Sequence, residues 1–202
     1  MKFIKLDIKK HDLNKVSELI YETDAETLNF LFKNKINSSE RIAKLVKTGD
    51  NSRGYEKIHV VTNDDNQVLG VLVASIGDDD SVKNDFITYF KTLNVFDALK
   101  FILWDIFDFF TSSVDLDECD YYLADIAVDE ECRGKGIGTF ILEKSLELAR
   151  EKGCKRVVLD VYLENKEALI LYERFGFKIY NKKSFRLFGG EKGVYNMEYN
   201  IN

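Results

Sequence analysis

Residues 121–139 read Tyr-Tyr-Leu-Ala-Asp-Ile-Ala-Val-Asp-Glu-Glu-Cys-Arg-Gly-Lys-Gly-Ile-Gly-Thr. Tyr121 to Val128 is rich in β-branched, aromatic and aliphatic residues and reads as a strand. A turn and a glycine loop follow, then a helix over Ile137–Lys152 stopped by Gly153, then a second strand over Arg156–Tyr162, which makes a β-loop-α-β unit. Gly134, Gly136 and Gly138 let the backbone approach a ligand closely. The first N–H groups of the helix lack intrahelical acceptors and suit an anion such as a phosphate. No Gly-x-x-x-x-Gly-Lys-Ser/Thr occurs, so a Walker loop is excluded. Asp160 lies 22 residues after Gly138, where a dinucleotide fold would place a ribose-binding acid. The glycine order is nevertheless Gly-x-Gly-x-Gly, five residues separate Val128 from Gly134, and too little chain follows for a second nucleotide-binding half. A glycine turn of purely structural use is the remaining alternative.

Outward from this unit, residues 2–8 alternate apolar and charged side chains with a strand's period of two, and Asp12 caps a helix carrying Leu13, Val16, Leu19 and Ile20. Helical patterns run through Ala25–Lys33 and Ser39–Lys47, with Gly49 as the stop. Lys57–Thr62 and Val68–Ile76 flank Asn63-Asp64-Asp65-Asn66 and read as a hairpin. A short helix over Asn165–Phe175 ends at Gly176, and strands are expected at Phe177–Lys182 and Val194–Asn200. The expected fold class is α/β (α+β): a mixed sheet flanked by helices, in one domain over 1–202.

The 202 residues carry a formal charge of −6, the wrong sign for a general nucleic-acid binder and better suited to a cationic partner. Residues 77–120 hold eleven acids against three lysines, a net −8 that leaves +2 for the rest of the chain. The same segment contains Phe86–Phe110, interrupted by Lys91, Asp97, Lys100, Asp105 and Asp108, and therefore too charged to span a membrane. It reads as one amphipathic helix whose apolar face serves the core or a homodimer contact, with Asp97, Asp105 and Asp108 solvating the other face. Cys119, Cys132 and Cys154 form no CxxC pair, so neither a disulfide framework nor a metal site is expected; no signal peptide is visible, and a reducing, cytoplasmic setting is expected.

The run Leu123–Thr139, followed by Asn165-x-x-Ala168-x-x-Leu171-Tyr172-x-x-x-Gly176-Phe177, resembles the GNAT family of N-acetyltransferases. The family's Arg/Gln-x-x-Gly-x-Gly/Ala loop maps to Arg133, Gly136 and Gly138, and the likeness extends over roughly Tyr121–Lys182. It implies a mostly antiparallel, twisted sheet with residues 77–120 inserted before the cofactor-binding strand. It also implies acetyl-CoA as cosubstrate, with no metal. Backbone groups of Ile126, Ala127 and Val128 would pair with the pantetheine amides, and Arg133, Gly134, Lys135, Gly136, Ile137, Gly138 and Thr139 would receive the pyrophosphate. Asn165, Ala168 and Tyr172 would face the thioester.

Acetyl transfer to an amine needs a neutral amine, a held oxyanion and a stabilised or protonated thiolate. His11 and His59 are far from the motif and read as helix-entry and strand residues. Tyr172, with a phenol protonated at neutral pH, is the candidate acid, against a plain core role for its ring. Asp160 lies where ribosomal-protein acetyltransferases of the family carry a glutamate, and Asp125 rivals it as base; either could be a structural carboxylate, with a water chain in its place. Two readings without turnover stay open: an acyl-CoA-binding sensor or scaffold, and an interaction protein acting through the aromatic helix. The acceptor, whether peptide N-terminus, lysine, polyamine or another small amine, is not encoded in any visible motif.

Overall fold

In chain order the elements are β1 (Lys2–Lys5), α1 (Leu13–Thr23), α2 (Ala25–Phe32), α3 (Lys35–Thr48), β2 (Ile58–Thr62), β3 (Val68–Ile76), α4 (Ser81–Thr92), α5 (Val95–Thr111), β4 (Asp120–Val128), α6 (Ile137–Glu151), β5 (Arg156–Tyr162), α7 (Lys166–Phe175), β6 (Lys178–Leu187) and β7 (Gly190–Asn200). The computed structural model describes residues 1–77, 81–111, 114–187 and 190–201; Asp78, Asp79 and Asp80 of the acid-rich segment lie outside the described residues. The strands form one sheet in the order β1-β2-β3-β4-β5-β7-β6. Pairing is antiparallel at β1–β2, β2–β3, β5–β7 and β6–β7 and parallel at β4–β5. This is the mixed, mostly antiparallel sheet flanked by helices that the sequence implied.

Contacts divide the chain into two units, each drawn from three stretches. The first comprises Met1–Ala74, Asp79–Ile102 and Asp125–Ile141, and the second Ser75–Asp78, Leu103–Ala124 and Leu142–Asn202. The core of the first unit joins Val16, Leu19 and Ile20 of α1 to Ile42, Leu45 and Val46 of α3, and to Ile58, Val60, Val71 and Val73 of β2 and β3. Each such side chain contributes about 1.5–3 kcal/mol on burial. α1 begins where it does because Asp12 accepts from the N–H groups of Asn14 and Lys15.

Before that cap the expected strand over 2–8 stops at Lys5. The backbone turns at Asp7, whose carbonyl accepts from the N–H groups of Lys10 and His11, and Asp7 N–H donates to His11 Nδ1 at 3.0 Å. His11 is therefore a buried acceptor, and burial pushes its imidazole pKa down, with Asp7 opposing and Lys10 assisting. An unfolded His titrates near pH 6.5. On acidification the unfolded chain binds a proton that the folded one refuses, so stability falls from about pH 6.5 downward to the lowered pKa. Urea midpoints between about pH 7 and pH 5 should fall more steeply for wild type than for His11→Asn, which keeps an acceptor that does not titrate.

The expected helix over 86–110 is two helices. Asn94 breaks it by capping α5: its Oδ1 accepts from Asp97 N–H at 3.0 Å, and its Nδ2 donates to Asp97 Oδ2 at 2.7 Å. Arg41 Nε completes the cluster at 2.6 Å from Asp97 Oδ2. Asp97 is thus a buried partner of Arg41 and does not solvate the helix. Asp85 is buried too, accepting from Ser52 N–H at 2.7 Å. α5 keeps a row of apolar side chains in the open, Phe96 at 79% and Leu103 at 66% exposure among them. The helix expected from Ser39 begins four residues earlier, at Lys35, because Asn34 caps it by accepting from Asn37 N–H. Lys57, expected in β2, ends a 3₁₀ turn.

In the second unit β5 pairs with β7 over its full length, from Arg156↔Asn200 to Tyr162↔Val194. Both β6 and β7 run longer than expected, into a hairpin pairing Lys178↔Glu198 through Leu187↔Gly190. Arg156 fastens the foot of β4 and β5: its Nη2 lies 2.5 Å from Asp120 Oδ2 and its Nη1 3.0 Å from Glu198 Oε2. Asp120 is 2% exposed, so this acid too is committed to the fold.

Candidate functional site

In the first unit β3 and β4 prepare the glycine loop. β3 carries a bulge: Val61 faces Gly70 and Thr62 faces Val68, leaving Leu69 as the extra residue. The Leu69 carbonyl accepts from Asp129 N–H at 2.9 Å, one residue past the end of β4. A side chain at Gly70 would meet the Ala127 carbonyl at 3.0 Å and Ile141 at 3.2 Å, so glycine is what lets the end of β4 and the start of α6 sit this close. Of the strand residues Ala127 is buried, while Ile126 and Val128 are half-exposed.

The loop is tied back to α1. Asp129 pairs with Lys15, and its Oδ1 accepts from Glu131 N–H at 2.9 Å. That pairing, led by the Lys15 hydrogen bond, holds the Asp129 carboxyl below its usual pKa. Arg133 donates through Nε to the Val128 carbonyl at 3.2 Å and through Nη2 to Glu22 Oε2 at 3.2 Å. Lys135 Nζ donates to the Glu131 carbonyl at 2.9 Å. Gly134 and Gly136 have φ of +73° and +81°, the left-handed region, with open space where a Cβ would stand. Phe140 N–H returns to the Gly136 carbonyl at 3.0 Å, which starts α6. Ile137 is buried as its hydrophobic anchor, and Gly138 and Thr139 complete its first turn, with its leading N–H groups lacking intrahelical acceptors.

In the second unit the β4–β5 ladder runs from Asp120↔Arg156 to Leu123↔Leu159 and ends there, while β5 continues against β7. Tyr122 and Asp160 project from the same face near that end, and the Tyr122 hydroxyl donates to Asp160 Oδ1 at 2.7 Å. Asn165 is the cap of α7: its Oδ1 accepts from Ala168 N–H at 3.1 Å. Tyr172 is 8% exposed, its ring centroid 5.9 Å from that of Phe177. Gly176, at φ +111°, ends the helix by donating to the Tyr172 carbonyl. A recess of about 610 Å³ at the foot of the strands, lined by Asp117–Asp120, Lys155, Arg156, Glu198 and Asn200, contains none of the expected site residues. Among the described residues no group of three His, Cys, Asp or Glu could hold a metal ion, and no helix is long and apolar enough to cross a membrane.

A model of the acetyltransferase (GNAT) family matches residues 25–177. The chain belongs to that family. It is similar to N-alpha-acetyltransferase 30 of Xenopus laevis, 43% identical over 67 residues that make up 33% of this chain and 24% of the relative. It is also similar to the thialysine N-epsilon-acetyltransferase of Bos taurus, 47% identical over 55 residues, 27% of this chain and 32% of the relative. The matched stretches thus span a quarter to a third of these relatives' length. A crystal structure of an N-acetyltransferase from Staphylococcus aureus Mu50 shares the fold, with a TM-score of 0.72 over 97% of this chain and 100% of that one at 19% identity.

The two GNAT landmarks fall in different units, the glycine loop in the first and α7 in the second. Within the first, the structure joins Ile126–Val128 to Arg133 and the loop; within the second, Asn165, Ala168 and Tyr172 share one short helix, with Asn165 as its cap. Tyr122 escaped notice in the sequence. The signal lay in register, since a residue paired to Val158 on a parallel strand faces the same side as Asp160. Glu22 and Thr23, at the end of α1, gave no signal, because Arg133 and Asp125, which they meet, lie over a hundred residues away.

Proposed function

We propose that this protein moves an acetyl group from acetyl-CoA to a primary amine by direct attack in a ternary complex. What carries the reading is the glycine loop: Gly134 and Gly136 in left-handed conformation over open space, at the N-terminus of α6 and anchored to the end of β4 by Arg133. In a GNAT protein that loop, Arg133 through Thr139, takes the pyrophosphate, and the backbone of Ile126, Ala127 and Val128 takes the pantetheine amides. Asn165, Ala168 and Tyr172 line the thioester.

The amine nitrogen then attacks the thioester carbonyl carbon, the C–S bond breaks, and the Tyr172 phenol gives its proton to the departing thiolate. The nitrogen's surplus proton goes to Asp160, whose carboxylate is oriented by the Tyr122 hydroxyl. The chemistry as written calls on no metal. A cationic amine and not a nucleic acid is the partner that the acidity of the chain favours; the cysteine usage suits a reducing, cytoplasmic setting, and the charges that interrupt Phe86–Phe110 argue against a membrane. Peptide N-termini and lysine side chains are the first acceptors to try, given the relatives' names.

Thiol release from acetyl-CoA should appear with at least one member of a panel of peptides, lysine analogues and polyamines. Tight acetyl-CoA binding with no release across the panel would establish the sensor or scaffold instead. For the best acceptor the KM should rise with salt while that of acetyl-CoA rises much less, because exposed charges are screened over about 8 Å at physiological ionic strength. Asp115, Asp117 and Glu118 carry that steering: Asp120 is taken by Arg156, and the Asp117 side chain is 87% exposed although 3.8 Å from the same guanidinium.

A further inference from the structure

Thr23 closes α1, and its hydroxyl oxygen lies 2.7 Å from the Ile20 carbonyl oxygen and 2.5 Å from Asp125 Oδ1. All three residues belong to the first unit. A threonine hydroxyl has one proton to give and lone pairs to accept with. The carbonyl can only accept, so the Ile20 contact, the bond back to the preceding turn that helical threonines make, takes the Thr23 proton. An ionised Asp125 would then set its oxygen 2.5 Å from Thr23 Oγ1 with no proton between them, and two bare acceptors at that distance repel. A neutral carboxyl supplies the missing proton. The chain Asp125 O–H to Thr23 Oγ1, Thr23 O–H to Ile20 carbonyl then gives each of the two contacts its proton, at separations within the range for O–H···O bonds.

We infer that Asp125 is held as a neutral carboxylic acid in the folded protein and is a positioning residue, its proton fastening the end of α1 to β4 one residue before Ile126. Burial is the largest influence and works in the same direction, pushing the Asp125 carboxyl pKa up; the positive charge of Arg53 pulls it down, as would a hydrogen bond donated by Thr23 to an ionised carboxylate. The residue as a whole is half-buried. A carboxyl that already carries its proton is not a base, which leaves Asp160 alone in that role; this consequence rests on the proposed acetyl transfer, whereas the protonation state does not.

The test is a titration of the side-chain carboxyl carbons by NMR on the free protein, without acetyl-CoA or amine, with Asp125→Asn used only to assign the signal. At neutral pH the Asp125 carboxyl carbon should still show the signal of the protonated acid, whereas an unperturbed aspartate, with a pKa of about 3.9, is ionised there. A carboxylate signal for Asp125 at neutral pH would overturn the inference. Thr23→Val discriminates further: it removes an acceptor that only the acid form can use, so the Asp125 midpoint should fall, and Thr23→Ser should return it. A midpoint that rises in the valine variant means Thr23 donates to an ionised carboxylate, and the inference is wrong. Should the valine variant not fold, the wild-type midpoint decides alone. Absence of acetyl transfer would leave all of these outcomes intact.

Discussion

Acetyl-CoA at a hundred times its Kd should raise the melting temperature by about 5–10 °C, and Gly136→Asp should remove the rise. The stabilisation at that ratio is about 2.7 kcal/mol, and each kcal/mol shifts Tm by about 2–4 °C in a domain of this size. Two effects act together in the variant. Gly136 sits at φ +81°, which an L side chain adopts with strain, and its missing Cβ faces the space the pyrophosphate would fill. Aspartate adds a negative charge there, opposed to the anion and to the positive end of α6. Gly136→Asn tolerates the backbone angle better and is neutral, so it should keep part of the rise. A wild-type protein whose Tm ignores saturating acetyl-CoA would remove the basis of the proposed function.

Tyr172→Phe should lower kcat by about 10² to 10⁴, the usual worth of a positioned general acid, while the acetyl-CoA effect on Tm barely moves. The substitution deletes one oxygen. The ring keeps its place beside Phe177, and the turn at Gly176 depends on the Tyr172 backbone carbonyl, which is untouched. A variant within about threefold of wild type would show that the phenol only packs, because a general acid is worth far more than that. Asp160→Asn belongs in the same series. Its loss should be greatest at low pH, where less of the amine is free, and Tyr122→Phe should reproduce a fraction of it by releasing the carboxylate's orientation.

How much of this was legible depended on the range of the interaction. The β4-loop-α6-β5 unit, the hairpin of β2 and β3 and the short helix stopped at Gly176 are set by residues close in sequence, and periodicity and glycine placement disclose them. The break between α4 and α5 was equally local, a cap at Asn94, but a long apolar run concealed it. Arg41 then changes the meaning of Asp97: a charge that reads as solvated is a buried partner of a residue 56 positions away. Asp125 makes the same point at the site itself. On the strand proposed to hold the cofactor an aspartate reads as a base, and the position of Thr23, 102 residues earlier, together with burial, is what argues for an acid.

The antiparallel pairing of β7 with β5 bears on where the chain can be cut. Shortening it to the family-matched stretch 25–177 would delete β6 and β7, stripping β5 of its partner at all seven positions from Arg156 to Tyr162. The newly bared edge would carry Val157, Val158, Leu159 and Val161, an apolar row of open backbone donors and acceptors that invites strand addition and aggregation. The same cut would discard α1, and with it Lys15 and Glu22, which tether Asp129 and Arg133 of the glycine loop. An expression fragment drawn at those limits would therefore test neither the fold nor the proposed ligand site, and truncation from the N-terminal side should spare β1 as well, which pairs with β2 and is followed by the buried Leu6 and His11.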